Sequence, residues 1–186
     1  MSVRLFADVR AILLDRDGVI NVESDAFIKS PNEWVPLPGV IEAVAALSTQ
    51  SVRIAICSNQ SGIARNKISG ANLSAIHRKM FHTLVSAGGR IDVMRYCPHG
   101  PDENCRCRKP RGGMILDLCR TFNLHPKDAL VIGDAERDLV AALDAGSRAA
   151  LVRTGRGLEA ERSARRLQVP VFDDLLSIAT EFIRQP

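Results

Sequence analysis

Ala11-Ile12-Leu13-Leu14-Asp15-Arg16-Asp17-Gly18-Val19-Ile20-Asn21 decides the fold. Four apolar residues in a row are too short for a helix and suit a strand buried on both faces. Two carboxylates and a glycine follow at once, at the carboxyl end of that strand. The same order recurs along the chain. Val52–Cys57 is followed by Ser58-Asn59-Gln60-Ser61-Gly62, and Ala129–Ile132 by Gly133-Asp134, with Asp138 four residues on. Ile91–Tyr96, Ala149–Val152 and the weaker Val169–Phe172 read as further strands. Amphipathic stretches lie between them. Gly39–Gln50 begins after Pro38. Ala71–Ala87 carries Leu73, Ile76, Met80 and Leu84 at helical spacing and stops at Gly88-Gly89. Met114–Phe122, Ala135–Ala145 before Gly146, and Leu175–Ile183 complete the set. Strand alternating with helix predicts an α/β fold with a single doubly wound, Rossmann-like parallel sheet. Ligands of such sheets bind beyond the carboxyl ends of the strands. The Asn21–Leu37 segment is longer than a usual connection, which points to a functional role.

The 186 residues are enough for one domain spanning 1–186 with a real core. Met1–Arg10 lacks the apolar run of a signal peptide, and no stretch has the length of a membrane span. The expected location is therefore the cytoplasm, with no membrane partner and a monomer as the default. Net charge is only +4, from 25 Lys+Arg against 21 Asp+Glu, without a basic stripe, and aromatic residues are 4% of the chain. Both facts speak against a nucleic-acid partner. Arg106-Cys107-Arg108-Lys109-Pro110-Arg111 suits a small anionic ligand such as a phosphate group. No G-x-x-x-x-G-K-[ST] loop is present, which excludes that kinase class.

Each strand end taken singly has an ordinary structural explanation. Asp-x-Asp-Gly is a common turn, Ser58-Asn59 can cap a loop, and Gly133-Asp134 can lead into a helix. Together, at successive strand ends, they gather three carboxyl groups and a hydroxyl at one edge of the sheet. Such carboxylates repel unless a cation sits among them, and an all-oxygen set favours Mg²⁺. One carboxylate can attack phosphorus. A second can protonate the leaving oxygen and then activate water. A hydroxyl and a lysine can hold the phosphoryl oxygens.

Asp15-Arg16-Asp17-Gly18-Val19-Ile20-Asn21 resembles the first motif of the haloacid dehalogenase superfamily of phosphatases. Ser58 resembles its second motif, Lys109 its third, and Gly133-Asp134 with Asp138 its fourth, in the right order and over most of the chain. The resemblance implies Asp15 as nucleophile and Asp17 as general acid/base. It implies Mg²⁺ held by Asp15, the Asp17 main-chain carbonyl and Asp134, with Asp138 supporting that site from behind. Val19 stands where the superfamily usually has Thr, a small β-branched exchange.

Cys97-Pro98-His99 and Cys105-Arg106-Cys107 offer three thiols and an imidazole, the set for a closed, structural Zn²⁺ site. This loop, 97–107, is set within the domain, and pinning Cys107 fixes the segment that aims Lys109. The loop resembles two groups of the superfamily, the heptose-1,7-bisphosphate 7-phosphatases of lipopolysaccharide precursor synthesis and the histidinol-phosphate phosphatases. Asn59-Gln60-Ser61-Gly62-Ile63-Ala64-Arg65 resembles the heptose group, which also fits a chain with no second catalytic domain. The five-residue gap in the metal loop suits the histidinol group as well, and Asn66 stands where the heptose group often has Gly. The resemblance implies a substrate site formed by Glu23, Ser24, Asp25, Ala26, Ser58, Asn59, Gln60, Ser61, Arg108 and Lys109. The stretch between Asp17 and Gln60 is too short for a large cap, so an open site is expected. Trp34 is expected to pack under the 21–37 segment, and His77, His82 and His125 to be surface or packing residues.

Overall fold

Six parallel strands form one sheet in the computed structural model, which describes residues 3–184. They are β1 (Ala11–Leu14), β2 (Arg53–Asn59), β3 (Val93–Cys97), β4 (Ala129–Gly133), β5 (Arg148–Val152) and β6 (Val171–Phe172). Their spatial order is β3-β2-β1-β4-β5-β6, the doubly wound order in which the winding reverses between β1 and β4. Helices α1 (Val3–Phe6), α2 (Val40–Ser48), α3 (Gly70–Ser86), α4 (Gly113–Thr121), α5 (Glu136–Asp144), α6 (Gly157–Arg166) and α7 (Leu175–Ile183) accompany the sheet.

Side chains alternate between two apolar cores, as the two-residue period of a strand requires. Ile12, Leu14, Ile54, Ile56, Leu130 and Ile132 point to the α2, α3 and α7 side. Ala11, Leu13, Ala55, Cys57, Ala129 and Val131 point to the α4, α5 and α6 side, where Cys119 also lies. Burial on both faces explains why β1 and β4 read as unbroken apolar runs.

The structure differs from the sequence reading in several places. Ser58 and Asn59 belong to β2 because they pair with Tyr96 and Cys97 of β3. β3 begins at Val93, since Asp92 turns in to accept the Ile54 N–H with its carboxylate. β6 is two residues long, because Pro170 has no N–H for the ladder. Helix α6 was not anticipated. Its buried residues are Gly157, Ala160 and Ala164, while Leu158 is exposed, so it shows no stripe of large apolar residues.

The 21–37 segment is a strap and carries only one short 3₁₀ turn, Pro31–Glu33. Its two limbs meet through Val22 N–H to Val35 O and Leu37 N–H to Ile20 O. Trp34 is fully buried beneath it and donates its indole N–H to Asn21 Oδ1 at 3.0 Å. The Lys79 ammonium donates to Pro31 O and Trp34 O from α3. No helix among the described residues is long and apolar enough to cross a membrane.

Candidate active site

The register Leu14↔Ile132 and Leu14↔Ile56 brings the carboxyl ends of β1, β2 and β4 level. Asp15 and Asp134 therefore meet at the crevice where the winding reverses. Two glycines make the approach possible. A Cβ on Gly18, whose φ is +80°, would lie 2.0 Å from Asp134 Oδ2, and one on Gly133 would lie 2.2 Å from Asp138 Cβ. The glycines of both motifs are thus spacers for carboxylates.

Lys109 lies fully buried at the centre. Its ammonium is 2.6 Å from Asp138 Oδ1 and 3.0 Å from Asp15 Oδ1, and it donates to Cys57 O at 2.8 Å. Burial alone would lower its pKa, but Asp138 and Asp15 outweigh that and push it up, so it stays a cation. Asp15 Oδ1 also accepts the Arg16 N–H at 2.7 Å. Asp138 turns back to accept the Ala135 N–H at the start of α5. With Asp138 facing Lys109, Asp15 and Asp134 remain as the pair open to a cation.

Asp17 is turned aside from this pair. It accepts two-pronged hydrogen bonds from the Arg16 guanidinium at 2.8 and 2.9 Å, one from Asn21 Nδ2, and one from Gln60 Nε2. Burial raises its pKa, yet Arg16 and the Asn21 and Gln60 bonds prevail, and the net shift is downward. Gln60 also donates to Ser58 Oγ, which ties the hydroxyl of β2 to the same network. His77, expected to be a surface or packing residue, lies 3.4 Å from Arg16 Nη1 and near the Tyr96 ring. Burial and the Arg16 charge push its pKa down to about 4, so it is neutral at pH 7.

The carboxylate pair fits a hard cation. Burial pushes Asp15 up to about 6 and Asp134 up to about 8, and in each case neighbouring carboxylates add to the rise. Asp134 Oδ1 is buried without a hydrogen-bond partner, and the carboxylate oxygens of Asp15, Asp134 and Asp138 lie within 4.8 Å of one another. An oxygen-only site of this size suits Mg²⁺. A folded pKa raised above 3.8 means the native state binds the proton more tightly than the unfolded chain, so stability falls as pH rises through that interval. Asp134 covers 3.8 to about 8, whereas the Asp15 window closes near 6 and the opposing His77 window, about 4 to 6.5, also ends lower. Magnesium-free protein with its thiol site loaded is therefore expected to melt at a lower temperature at pH 8 than at pH 6.5. Added Mg²⁺ should abolish the difference, and melting curves at the two pH values check it.

The cysteine loop closes into a tetrahedron. Five of the six separations among Cys97 Sγ, Cys105 Sγ, Cys107 Sγ and His99 Nδ1 are 3.4 to 3.6 Å, and all four atoms lie within 4.8 Å of one another. Bonds of about 2.3 Å to sulfur and 2.0 Å to nitrogen place tetrahedral corners about 3.5 to 3.8 Å apart, close to the separations here, so the set fits Zn²⁺. Arg111 donates to the Asn104 and Cys105 carbonyls and Arg108 to the His99 carbonyl, so the loop is braced from both sides. From there Asn59 clamps Lys109, accepting its N–H at 3.1 Å and donating to its carbonyl at 2.9 Å. Cys107→Ser is expected to remove most of the bound zinc and to lower kcat about 10-fold by loosening Lys109. Elemental analysis and steady-state kinetics check both.

A pocket of about 320 Å³ opens over Asp15 and Asp17. Glu23, Ser24 and Asp25 line it from the strap, Ser58, Asn59, Gln60 and Ser61 from β2 and its loop, and Arg108 from the zinc loop. Two expectations differ. Ala26 is exposed and is not among the lining residues, whereas Phe27 and Ile28 are, because the strap turns at Ser24 through its carbonyl and hydroxyl. Lys109 sits behind Asp15 and does not line the pocket, having been drawn in by two buried carboxylates. The basic run 106–111 is also no single patch. Arg106 is turned away from this pocket and Arg111 braces the loop. Arg65, Arg137 and Arg156 line the pocket and were not singled out from sequence. Only Arg65 stood within a quoted motif. Arg137 lies 4.0 Å from Asp15 Oδ2 and 3.9 Å from Asp134 Oδ1.

A doubly wound sheet with two carboxylates and a buried lysine at its switch point defines a hydrolase of the haloacid dehalogenase type. A HAD-hydrolase-like family model matches residues 106–178. The chain is 42% identical over 175 residues to D-glycero-β-D-manno-heptose-1,7-bisphosphate 7-phosphatase from Pseudomonas putida, covering 94% of this chain and 100% of that one. It is 41% identical to the enzyme of that name from Bordetella bronchiseptica, covering 95% and 99%. The solved structure of D,D-heptose 1,7-bisphosphate phosphatase from B. bronchiseptica, complexed with magnesium and phosphate, superposes with a TM-score of 0.91 at 41% identity, covering 95% of this chain and 99% of that one. The chain belongs to the D-glycero-D-manno-heptose-1,7-bisphosphate 7-phosphatase family.

Proposed function

We propose that this chain hydrolyses the 7-phosphate of D-glycero-D-manno-heptose 1,7-bisphosphate, releasing inorganic phosphate and heptose 1-phosphate for lipopolysaccharide precursor synthesis. The observation that carries the reading is the cluster of Asp15, Asp134 and Lys109 under an open, arginine-rich pocket, in a chain whose full-length relatives bear that name.

Asp15 is the nucleophile. Its carboxylate attacks phosphorus, the bond to the sugar oxygen breaks, and Asp17 gives that oxygen its proton. Water then attacks the aspartyl phosphate, Asp17 takes the proton back, and phosphate leaves with Asp15 restored. The pairing with Arg16 keeps Asp17 a carboxylate, which suits the second step; the first requires Asp17 to leave Arg16 and carry a proton. Ser58 holds an equatorial phosphoryl oxygen, and Lys109, from behind Asp15, fixes the nucleophile and supplies positive charge beside the phosphoryl group. Mg²⁺, held by Asp15, the Asp17 carbonyl and Asp134, supplies positive charge against the phosphoryl oxygens. Asp138 supports the site by anchoring Lys109. Cys97, His99, Cys105 and Cys107 hold a structural Zn²⁺.

Glu23, Ser24, Asp25, Asn59, Gln60, Ser61 and Arg108 receive the sugar and its second phosphate. Ala26 contributes at most through its backbone. Residues 1–186 act as one phosphatase domain with the 97–107 loop set into it. The protein works as a cytoplasmic monomer on a small phosphorylated sugar, without nucleic acid or membrane.

Histidinol phosphate is the competing substrate, since every catalytic group would serve both. Phosphate release with Mg²⁺ from the two compounds at matched concentration decides. A large kcat/KM preference for the bisphosphate is the expected result. A preference for histidinol phosphate would move the same chemistry to histidine synthesis.

A further inference from the structure

Two carboxylates, Glu23 and Asp25, line the pocket, and one side chain pairs with both. Arg156 Nε donates to Glu23 Oε2 at 2.9 Å and its Nη2 to Asp25 Oδ1 at 2.6 Å. Asp25 is otherwise 95% exposed, so this bond alone fixes which way it faces. The other hydrogen bonds of residues 23–27 stay within the strap: Ala26 N–H to Ser24 Oγ, Phe27 N–H to Ser24 O, and the Lys29 ammonium to Ala26 O. Packing secures the strap beyond the tip, where Ile28 is buried and the Phe27 ring lies against the Gly62 turn. The polar tether of the tip to the body is thus Arg156.

The base of that tether is held firmly. The Arg156 N–H donates to Asp134 Oδ2 at 2.9 Å, and Thr154 Oγ1 donates to Gly18 O at 2.6 Å. A Cβ on Gly155, at φ +57°, would stand 2.2 Å from Asp134 Oδ2 and 2.6 Å from Gly18 Cα. A Cβ on Gly157 would collide with the Val152 carbonyl. The segment 154–157 after β5 is therefore pressed against Asp134 and Gly18 with no slack, and Arg156 carries that fixed position outward to the strap.

We propose that Arg156 is a positioning residue for substrate selectivity. It pins the Glu23–Asp25 tip over the pocket so that both carboxylates face sugar hydroxyls, with one of their two negative charges offset beside the substrate's phosphates. The inference rests on the sugar-bisphosphate reading and names the residue that shapes that site. A ligand too small to reach the strap gains nothing from it. The backbone N–H that holds Asp134 survives any side-chain exchange, so chemistry and selectivity are separable at this position.

The test is Arg156→Gln beside Arg156→Lys, each assayed on heptose 1,7-bisphosphate and on p-nitrophenyl phosphate. Trp34, the only tryptophan in the chain, reports fold integrity by its fluorescence in urea. Arg156→Gln is expected to raise KM for the bisphosphate about 10-fold with kcat within about twofold, because two charge-assisted bonds to the strap are lost outside the reacting centre. Values for p-nitrophenyl phosphate should stay within about twofold, and Arg156→Lys should recover part of the KM. Equal loss on both substrates, or no loss on the bisphosphate, would overturn the proposal. Wild-type protein inactive on the bisphosphate but active on p-nitrophenyl phosphate would instead remove the sugar-bisphosphate reading, and Arg156 with it only as a selectivity residue for that substrate.

Discussion

Asp15→Asn is expected to lower kcat by about 10⁴-fold or more while the protein stays folded. The amide keeps the size of the carboxyl group and can still accept the Arg16 N–H, but it does not attack phosphorus. Lys109 retains its 2.6 Å partner Asp138, so the buried ammonium is not stranded. Burial pushes Asp134 up to about 8, and removing one charge from a group of three relieves the repulsion that adds to that rise. Rapid-quench measurement of phosphate release, with circular dichroism and Trp34 fluorescence as folding controls, checks both halves. Residual turnover within about 100-fold of wild type would exclude Asp15 as the nucleophile, because positioning and electrostatics alone do not replace a covalent step.

Lys109→Met is expected to damage stability and catalysis together. The side chain is 1% exposed and its ammonium serves two carboxylates and the Cys57 carbonyl. Methionine fills most of the volume but strips Asp15 and Asp138 of the ammonium they share, leaving Arg137 at 4.0 Å from Asp15. Breaking a buried pair by removing one partner costs about 3–5 kcal/mol. The cost should be smaller at acid pH, where Asp15 takes up a proton near its raised pKa of about 6. Turnover should fall about 10³-fold, the scale for losing one preorganised contact to a developing phosphoryl charge. Urea unfolding at pH 5 and pH 7.5, with kcat on the same preparations, separates the two effects. Full stability with lost activity would mean that the buried carboxylates do not depend on Lys109 for the stability of the fold.

The two variants differ in the way the fold predicts. Asp15 stands at the end of β1 facing the pocket, and an amide there keeps its size and its Arg16 contact, so its exchange is chemical. Lys109 is threaded under the sheet edge from a loop fixed by Asn59 and by the Cys97–Cys107 tetrahedron, so its exchange is also structural. Zinc, Asn59, Lys109 and Asp138 form one chain of supports ending at Asp15.

Much of this was legible in the residues themselves. Strands buried on both faces must be continuous apolar runs, and β1, β2 and β4 are, so their carboxyl ends and the carboxylates that follow could be located by eye. The cysteine set was legible because thiols and imidazole at close spacing have few other uses. Helix α6 was not, since Ala160 and Ala164 against β5 leave no stripe of large residues. The strap's turn at Ser24, which sets Ala26 outward and Phe27 inward, depends on a hydroxyl contact that no periodicity encodes.

By itself, the sequence determined the class of sheet, the order of its motifs and which residues are the candidates for attack, for holding magnesium and for holding zinc. All of these follow from local rules: apolar runs make strands, and what stands next in the chain must lie at the strand's end. Tertiary structure alone decided the pairings between distant segments. It drew Lys109 inward to Asp138, turned Asp17 toward Arg16, Gln60 and Asn21, and set Arg156 between Asp134 and the strap. The reason is that a charged side chain several ångströms long can reach many partners. Which one it takes depends on burial and on the sum of surrounding charges, and both exist only once the sheet has closed the distance.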